Sequence, residues 1–316
     1  MVSSIFLFYT NVQQLTHKPS ETKRRIPFPL HAQSVFFFFL CTSSLICTMA
    51  TLDQSFLIKL ALSFLVGSVW ITSVTVIAER FGSKVGGFIG GLPSTIVVAL
   101  LFIGLSQSTE TASRAAVMIP LVMGVNGFFI LVYLARVHAG LVQALLTALF
   151  LWFIIIGLIV WLGVESALVS FLVWSISLAA AYYITEHVMH IAHKGGVRVP
   201  YTMQQILTRG IVSGFIISMA VLISRLTGPV IGGIFSNFPV IFMSTLFITY
   251  RTGGAEFSRA VAKTLMISGM INVGVYSFTA HFAYQHFSLV IGTLIAISAS
   301  ILSAFGTYRI IRKMTQ

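Results

Sequence analysis

Charge is what this 316-residue chain lacks most. Only 8% of it is Asp, Glu, Lys or Arg, against 57% hydrophobic residues and a mean hydropathy of +0.98. A soluble domain needs far more polar surface, so a water-soluble globular fold is excluded and lipid must solvate most of the chain. Cysteine is nearly absent. Its two copies, Cys41 and Cys47, both fall in the N-terminal SVFFFFLCTSSLICTMA. The rest of the chain therefore has neither a disulfide framework nor a cysteine metal site. Also missing are a phosphate loop, H-E-x-x-H and G-x-S-x-G. The case for an enzyme is poor, and no cofactor is expected.

What is present is a series of long apolar runs. A helix needs about 20 apolar residues to cross the hydrocarbon, and scanning at that length gives nine spans. They cover roughly 55–78, 85–107, 112–135, 139–162, 165–185, 204–226, 230–250, 257–280 and 286–308. The expected fold is an all-α polytopic membrane protein.

The net charge of +12 follows topology rather than a nucleic-acid footprint. Arg80, Lys84, Arg136, Lys194, Arg198, Arg251, Arg259, Lys263, Arg309, Arg312 and Lys313 follow odd-numbered spans. Only Lys59, Arg114 and Arg225 lie at or near the other face. Short cytoplasmic loops retain Lys and Arg, so the first span starts outside and the C-terminus lies inside, with a bacterial cytoplasmic (inner) membrane as the expected location. The lipid bilayer is the expected partner, no nucleic acid is, and homo-oligomerisation is left open.

Residues 1–52 form an N-terminal extension, polar and basic in THKPSETKRRIPFPLHAQ and apolar from Ser34 to Ala50. It reads as an over-called start, a signal-like segment or a marginal tenth span. The first of these is preferred, because Met49 stands just before the first span.

VGGFIGGLPS, from Val85 to Ser94, is echoed by VIGGIFSNFP, from Val230 to Pro239. Aligning Pro93 with Pro239 sets an offset of 239 − 93 = 146 residues. At that offset Gly82, Gly86, Gly87, Glu110 and Asn126 meet Gly228, Gly232, Gly233, Glu256 and Asn272. The chain thus reads as repeat 1 over 53–163, a linking span and cytoplasmic loop over 164–202, and repeat 2 over 203–316. Five spans separate the two starts, an odd number, so the second repeat is inverted across the bilayer. Inverted repeats around a midplane site are the plan of many secondary transporters, and interrupted spans at matching positions point to the site.

Proline removes a backbone donor and clashes with the preceding turn, which predicts breaks at Leu92–Pro93 and Phe238–Pro239. Each phrase becomes a glycine-rich lead-in followed by a half-helix starting at the proline. The N-termini of half-helices carry partial positive charge and favour an anion or a carboxylate. The candidate substrate-binding set is Gly86, Gly87, Pro93, Ser94, Asn126, Gly232, Gly233, Asn237, Pro239 and Asn272, with Thr95 and Ser236 adding polar contacts. The plain alternative makes the glycines packing surfaces and the two mid-span amides interhelical clamps.

Other polar residues have simpler readings. Glu110 and Glu256 each open a helix, where a carboxylate complements the helix dipole. Arg209 and Arg225 snorkel toward the interface. His187, His190 and His193 lack further metal ligands and read as a solvated loop.

The phrase G-x-x-x-x-[LF]-P, at Gly87–Pro93 and Gly233–Pro239, is similar to the G-L-I-P-L-F-P-T phrase of GlpM-like proteins, small bacterial four-helix membrane proteins of poorly defined function. Ser94 and Phe238 match that phrase, and Val240 departs from its threonine. The resemblance implies a fused, inverted pair of four-helix units, and it implies no substrate. The resulting expectation is a secondary transporter or permease for a small anionic or zwitterionic solute, working by alternating access. The alternative is a non-transporting membrane scaffold or accessory subunit.

Overall fold

The computed structural model describes residues 53–80, 92–191 and 202–314. About 91% of them are helical and none forms a strand, which follows from a lipid solvent in which a spanning segment must satisfy its own backbone. The helices are α1 (Gln54–Arg80), α2 (Ser94–Ser106), α3 (Thr109–Arg136), α4 (Leu141–Trp161), α5 (Ala167–Tyr183), α6 (Met203–Thr227), α7 (Pro229–Ser236), α8 (Val240–His286) and α9 (Leu289–Met314). Gly86, Gly87 and the N-terminal extension over 1–52 lie outside the described residues.

Seven helical stretches among the described residues are long and apolar enough to cross a membrane, and α2 is a shorter apolar helix. This is an integral membrane protein. Within the expected span 85–107 the described helix is the 13-residue α2. The expected span over 230–250 departs from a continuous helix: it is divided after Ser236, and α8 resumes at Val240.

From Pro229 to His286 the two helices α7 and α8 follow one another over 58 residues, about 87 Å if straight. The chain folds back instead. Gly254 stands at φ 75°, ψ −171° inside α8, a region open essentially to glycine alone. It separates α8a (240–253) from α8b (255–286).

Helix starts follow local chemistry. Ser108 and Ser166 each accept the N–H three residues on, and Thr202 and Gln205 form a reciprocal capping box. Before α1, the exposed Asp53 carboxylate accepts the Ser55 hydroxyl and N–H, which hold it below the usual carboxylate range.

Two helix pairs organise the bundle, and both run antiparallel. Along α1 and α6, Gly67 faces Ile217, Ser68 faces Gly214, and Thr72 faces Gly210. Gly210 and Gly214 form a G-x-x-x-G stripe that lets the backbones touch: a Cβ at Gly214 would lie 2.6 Å from the Phe64 carbonyl oxygen. Along α3 and α8b, Ser113 bonds to His281, Gly127 meets Met270, and the Tyr133 hydroxyl bonds to Ser258 at 2.7 Å. α3 is the central helix and is buried along most of its length. α4 and α5 cover it and turn Val142, Leu146, Phe150, Leu168 and Ile176 outward to lipid.

Candidate functional site

Pro93 and Pro239 start their helices in the same way. Their dihedrals are φ −75°, ψ 48° and φ −74°, ψ 31°. Ser94 N–H donates to the Leu92 carbonyl at 2.8 Å, and Val240 N–H donates to the Phe238 carbonyl at 2.7 Å. The first regular bonds follow, from Val97 N–H to Pro93 at 3.0 Å and from Met243 N–H to Pro239 at 2.9 Å. Each proline lacks the donor that would have continued a helix, so each junction tightens into a short turn.

The second junction is described on both sides. The short helix α7 closes when the N–H groups of Asn237 and Phe238 donate to Ile234 and Phe235 at 3.2 and 3.1 Å. Breaking the helix frees the Asn237 carbonyl, and a buried carbonyl needs a partner. Asn126 of α3 supplies it. Its Nδ2 donates to that carbonyl at 2.9 Å and reaches the Asn237 Oδ1 at 3.3 Å. The Asn126 Oδ1 in turn accepts the Trp152 indole N–H of α4 at 2.7 Å. Asn237 completes the exchange by donating from Nδ2 to the Ile119 carbonyl at 3.3 Å, beside Pro120 inside α3.

The result is a clasp joining α3, α4 and the α7–α8a break. Asn126 is 0% exposed and Asn237 7%. Trp152 and Phe238 meet edge to face at 5.3 Å, and Phe153 and Phe235 extend the aromatic cover. In this conformation the clasp is buried, and the Asn126 amide is engaged at both its oxygen and its nitrogen.

The glycines before Pro239 are not an irregular lead-in. Gly232 and Gly233 lie within α7, which begins at Pro229. A Cβ at Gly233 would run into the Ala115 carbonyl of α3, and one at Gly232 into Ser224 of α6. They are the surfaces that let α7 lie against its neighbours. Ser236 bonds to the Gly233 carbonyl at 2.7 Å, and Thr95 is buried.

Asn272 is held by α9: its Oδ1 accepts the Ser303 hydroxyl at 3.0 Å and its carbonyl accepts Ser300 at 3.1 Å. Both mid-span amides therefore take a donor from the next long helix in sequence, Trp152 of α4 for one and Ser303 of α9 for the other. They flank the Gly127–Met270 crossing of α3 and α8b.

The remaining candidates separate. Glu110 is exposed in the first turn of α3. Glu256 pairs with Arg259 at 3.2 Å and lies 3.4 Å from His138. Arg209 donates to Thr245 at 3.0 Å. His193 lies outside the described residues.

No family model, curated protein or solved structure matches the chain.

Two features escaped the sequence. Trp152 gave no signal, since an indole in an apolar span usually marks packing or an interface. Lys263 counted only as a topological charge, yet it is 1% exposed and its Nζ donates to Glu186 of the linking segment.

Proposed function

We propose that the protein is a secondary transporter or permease for a small anionic or zwitterionic solute, built from two inverted four-helix repeats over 53–163 and 203–316. The observation that carries the repeat is the pairing of equivalent helices. Ser68 touches Gly214, and 214 − 68 = 146, the offset that aligns Pro93 with Pro239. Helices that cross antiparallel at equivalent residues are related by a two-fold axis perpendicular to them, which is an axis in the membrane plane. The α3–α8b pair supports the same axis, since Gly127 meets Met270 beside the equivalent Asn126 and Asn272. The helix that begins at Ser94 has its counterpart at Val240, and the Ser108 cap has its counterpart at Gly254. The likeness to GlpM-like units belongs to this proposal and rests on the shared phrase. The bacterial inner membrane and a cytoplasmic C-terminus belong to it too, and rest on the loop charges.

Transport follows from where the breaks lie. Broken helices at matching positions of inverted repeats offer backbone dipoles to a solute at the repeat interface. In the conformation described, the Asn126–Asn237 clasp closes that place. Solute entry requires α7 and α8a to part from α3, after which the Asn126 amide and the start of α8a face the solute. Pro93, Ser94 and Asn272 are the remaining members of the set.

A second reading, a non-transporting scaffold, is favoured by close packing: the clasp is buried and Gly233 packs on bare backbone. A thermal-stabilisation screen of small anions and zwitterions on the purified protein, followed by proteoliposome uptake of the hits, separates the two. Transport predicts saturable uptake that falls at least tenfold in Asn237→Ala. A complete absence of saturable uptake for every stabilising solute assigns the protein to the scaffold class.

A further inference from the structure

The linking helix α5 does not end regularly. It runs into a π-helical stretch, Ile184–Val188, and His190 beyond it stands at φ 46°. π-turns often mark functional sites, and a non-glycine residue in the left-handed region is held there by its surroundings. Here the Met189 N–H donates to Ile184 at 2.8 Å and the Ile191 N–H to Thr185 at 3.1 Å, folding Ile191 back into the core.

Both irregularities converge on one side chain. The Lys263 Nζ of α8b donates to the Glu186 carboxylate at 2.5 Å and to the Ile191 carbonyl at 2.6 Å. Lysine is almost never this buried unless paired. Its partner is not sealed in: the Glu186 side chain is 30% exposed, which leaves the carboxylate a route to water.

Among the described residues, several other charged and titratable groups of the packed elements have partners of their own or are exposed. Arg259, Glu256 and His138 engage one another, and Tyr133 is bonded to Ser258. Arg136, Tyr183, His187 and His190 are exposed, Tyr182 is half-buried, and Arg209 bonds to Thr245. α4 carries no titratable group.

We propose that Glu186 and Lys263 form a proton-binding site that couples solute movement to proton uptake. This rests on the transport reading above. Glu186 takes one proton from water and becomes neutral, while Lys263 keeps its three protons and its charge. The buried cation is then left with neutral acceptors and no counter-charge, which is strongly unfavourable. Lys263 therefore moves its ammonium toward water, as a long basic side chain can, and the end of α5 comes away from α8b. Deprotonation of Glu186 rebuilds the pair. A proton suits the site better than a metal cation, because the ammonium already occupies the place beside the carboxylate.

The same two helices carry a reporter. The Trp174 indole N–H of α5 donates to the Met270 carbonyl of α8b at 2.8 Å. The test is a pH titration of the full-length purified protein, followed by infrared spectroscopy and by tryptophan emission, with Trp174→Phe identifying the Trp174 component. The wild type should gain a carboxylic-acid C=O band as pH falls, with a one-proton midpoint shared by the Trp174 signal. Glu186→Gln should lose both. Glu186→Gln/Lys263→Gln, which keeps hydrogen-bonding groups without charge, should elute like the wild type and be pH-silent.

A band and Trp174 transition that persist unchanged in either variant overturn the proposal, as does a transition that follows sodium rather than pH. No solute is needed, so the two readings fail separately. Uptake without the Glu186 titration removes the proton site only. The titration without uptake of any solute removes transport, and the coupling with it, and leaves the proton site.

Discussion

Replacing Asn126 with Ala tests the clasp directly. The substitution removes the donor to the Asn237 carbonyl at 2.9 Å and the acceptor of the Trp152 N–H at 2.7 Å. Interhelical hydrogen bonds in membranes average only about 0.6 kcal/mol, because the unfolded chain in lipid also finds partners. Two such bonds would total about 1 kcal/mol. The clasp differs in what it leaves behind. The Asn237 carbonyl was freed by a proline break, and the indole N–H belongs to a side chain 2% exposed. A buried polar group left unpaired costs about 1–3 kcal/mol, so the loss should be about 2–4 kcal/mol. Trp152→Phe removes the donor and leaves the Asn126 oxygen unfilled, at about 1–2 kcal/mol. The double variant Asn126→Ala/Trp152→Phe no longer strands either member of that bond. The double-mutant cycle should therefore show about 1 kcal/mol of coupling. Reversible unfolding in mixed micelles measures all three. A total cost for Asn126→Ala near 1 kcal/mol, with additive single effects, would refute the reasoning and make the clasp an ordinary interhelical contact.

Two further substitutions address the backbone. Gly254→Ala places a Cβ at φ 75°, ψ −171° and should cost about 1–3 kcal/mol in the same unfolding assay; a neutral result would mean that the α8a–α8b reversal tolerates another conformation. Gly214→Val drives a side chain into Ser68 and the Phe64 carbonyl, and should cost about 1–3 kcal/mol or more by overpacking. Val at Gly157, where a Cβ meets nothing within 4 Å, is the control and should leave the unfolding midpoint nearly unchanged.

Much of this was legible because lipid simplifies the reading. Apolar length locates the spans, and Pro93 and Pro239 locate the junctions, since a missing N–H has the same effect in any setting. Side-chain destinations were less legible. Gly232 and Gly233 looked like loosened chain because glycine weakens an isolated helix, but in α7 close approach to Ala115 and Ser224 decides the matter. Asn126 and Asn237 were both candidates, while the bond between them depends on α7 stopping at Ser236 and exposing one carbonyl to α3. Lys263 was counted by charge alone. Its partner sits on a π-helical stretch whose extra residue per turn shifts Glu186 away from the position an α-helical count would give it. Neither a periodicity nor a motif announces that shift.

The meeting of Ser68 with Gly214 has an evolutionary consequence. In a dimer of identical antiparallel subunits, a residue on the two-fold axis faces its own copy, so both sides must carry the same side chain. A serine seated on a glycine is forbidden there: two serines would collide and two glycines would leave a gap. Joining the two copies into one chain, as the repeat proposed above implies, lifts that restriction. Each side can then mutate alone, and a knob can be matched to a hole at the very position where symmetry had required likeness.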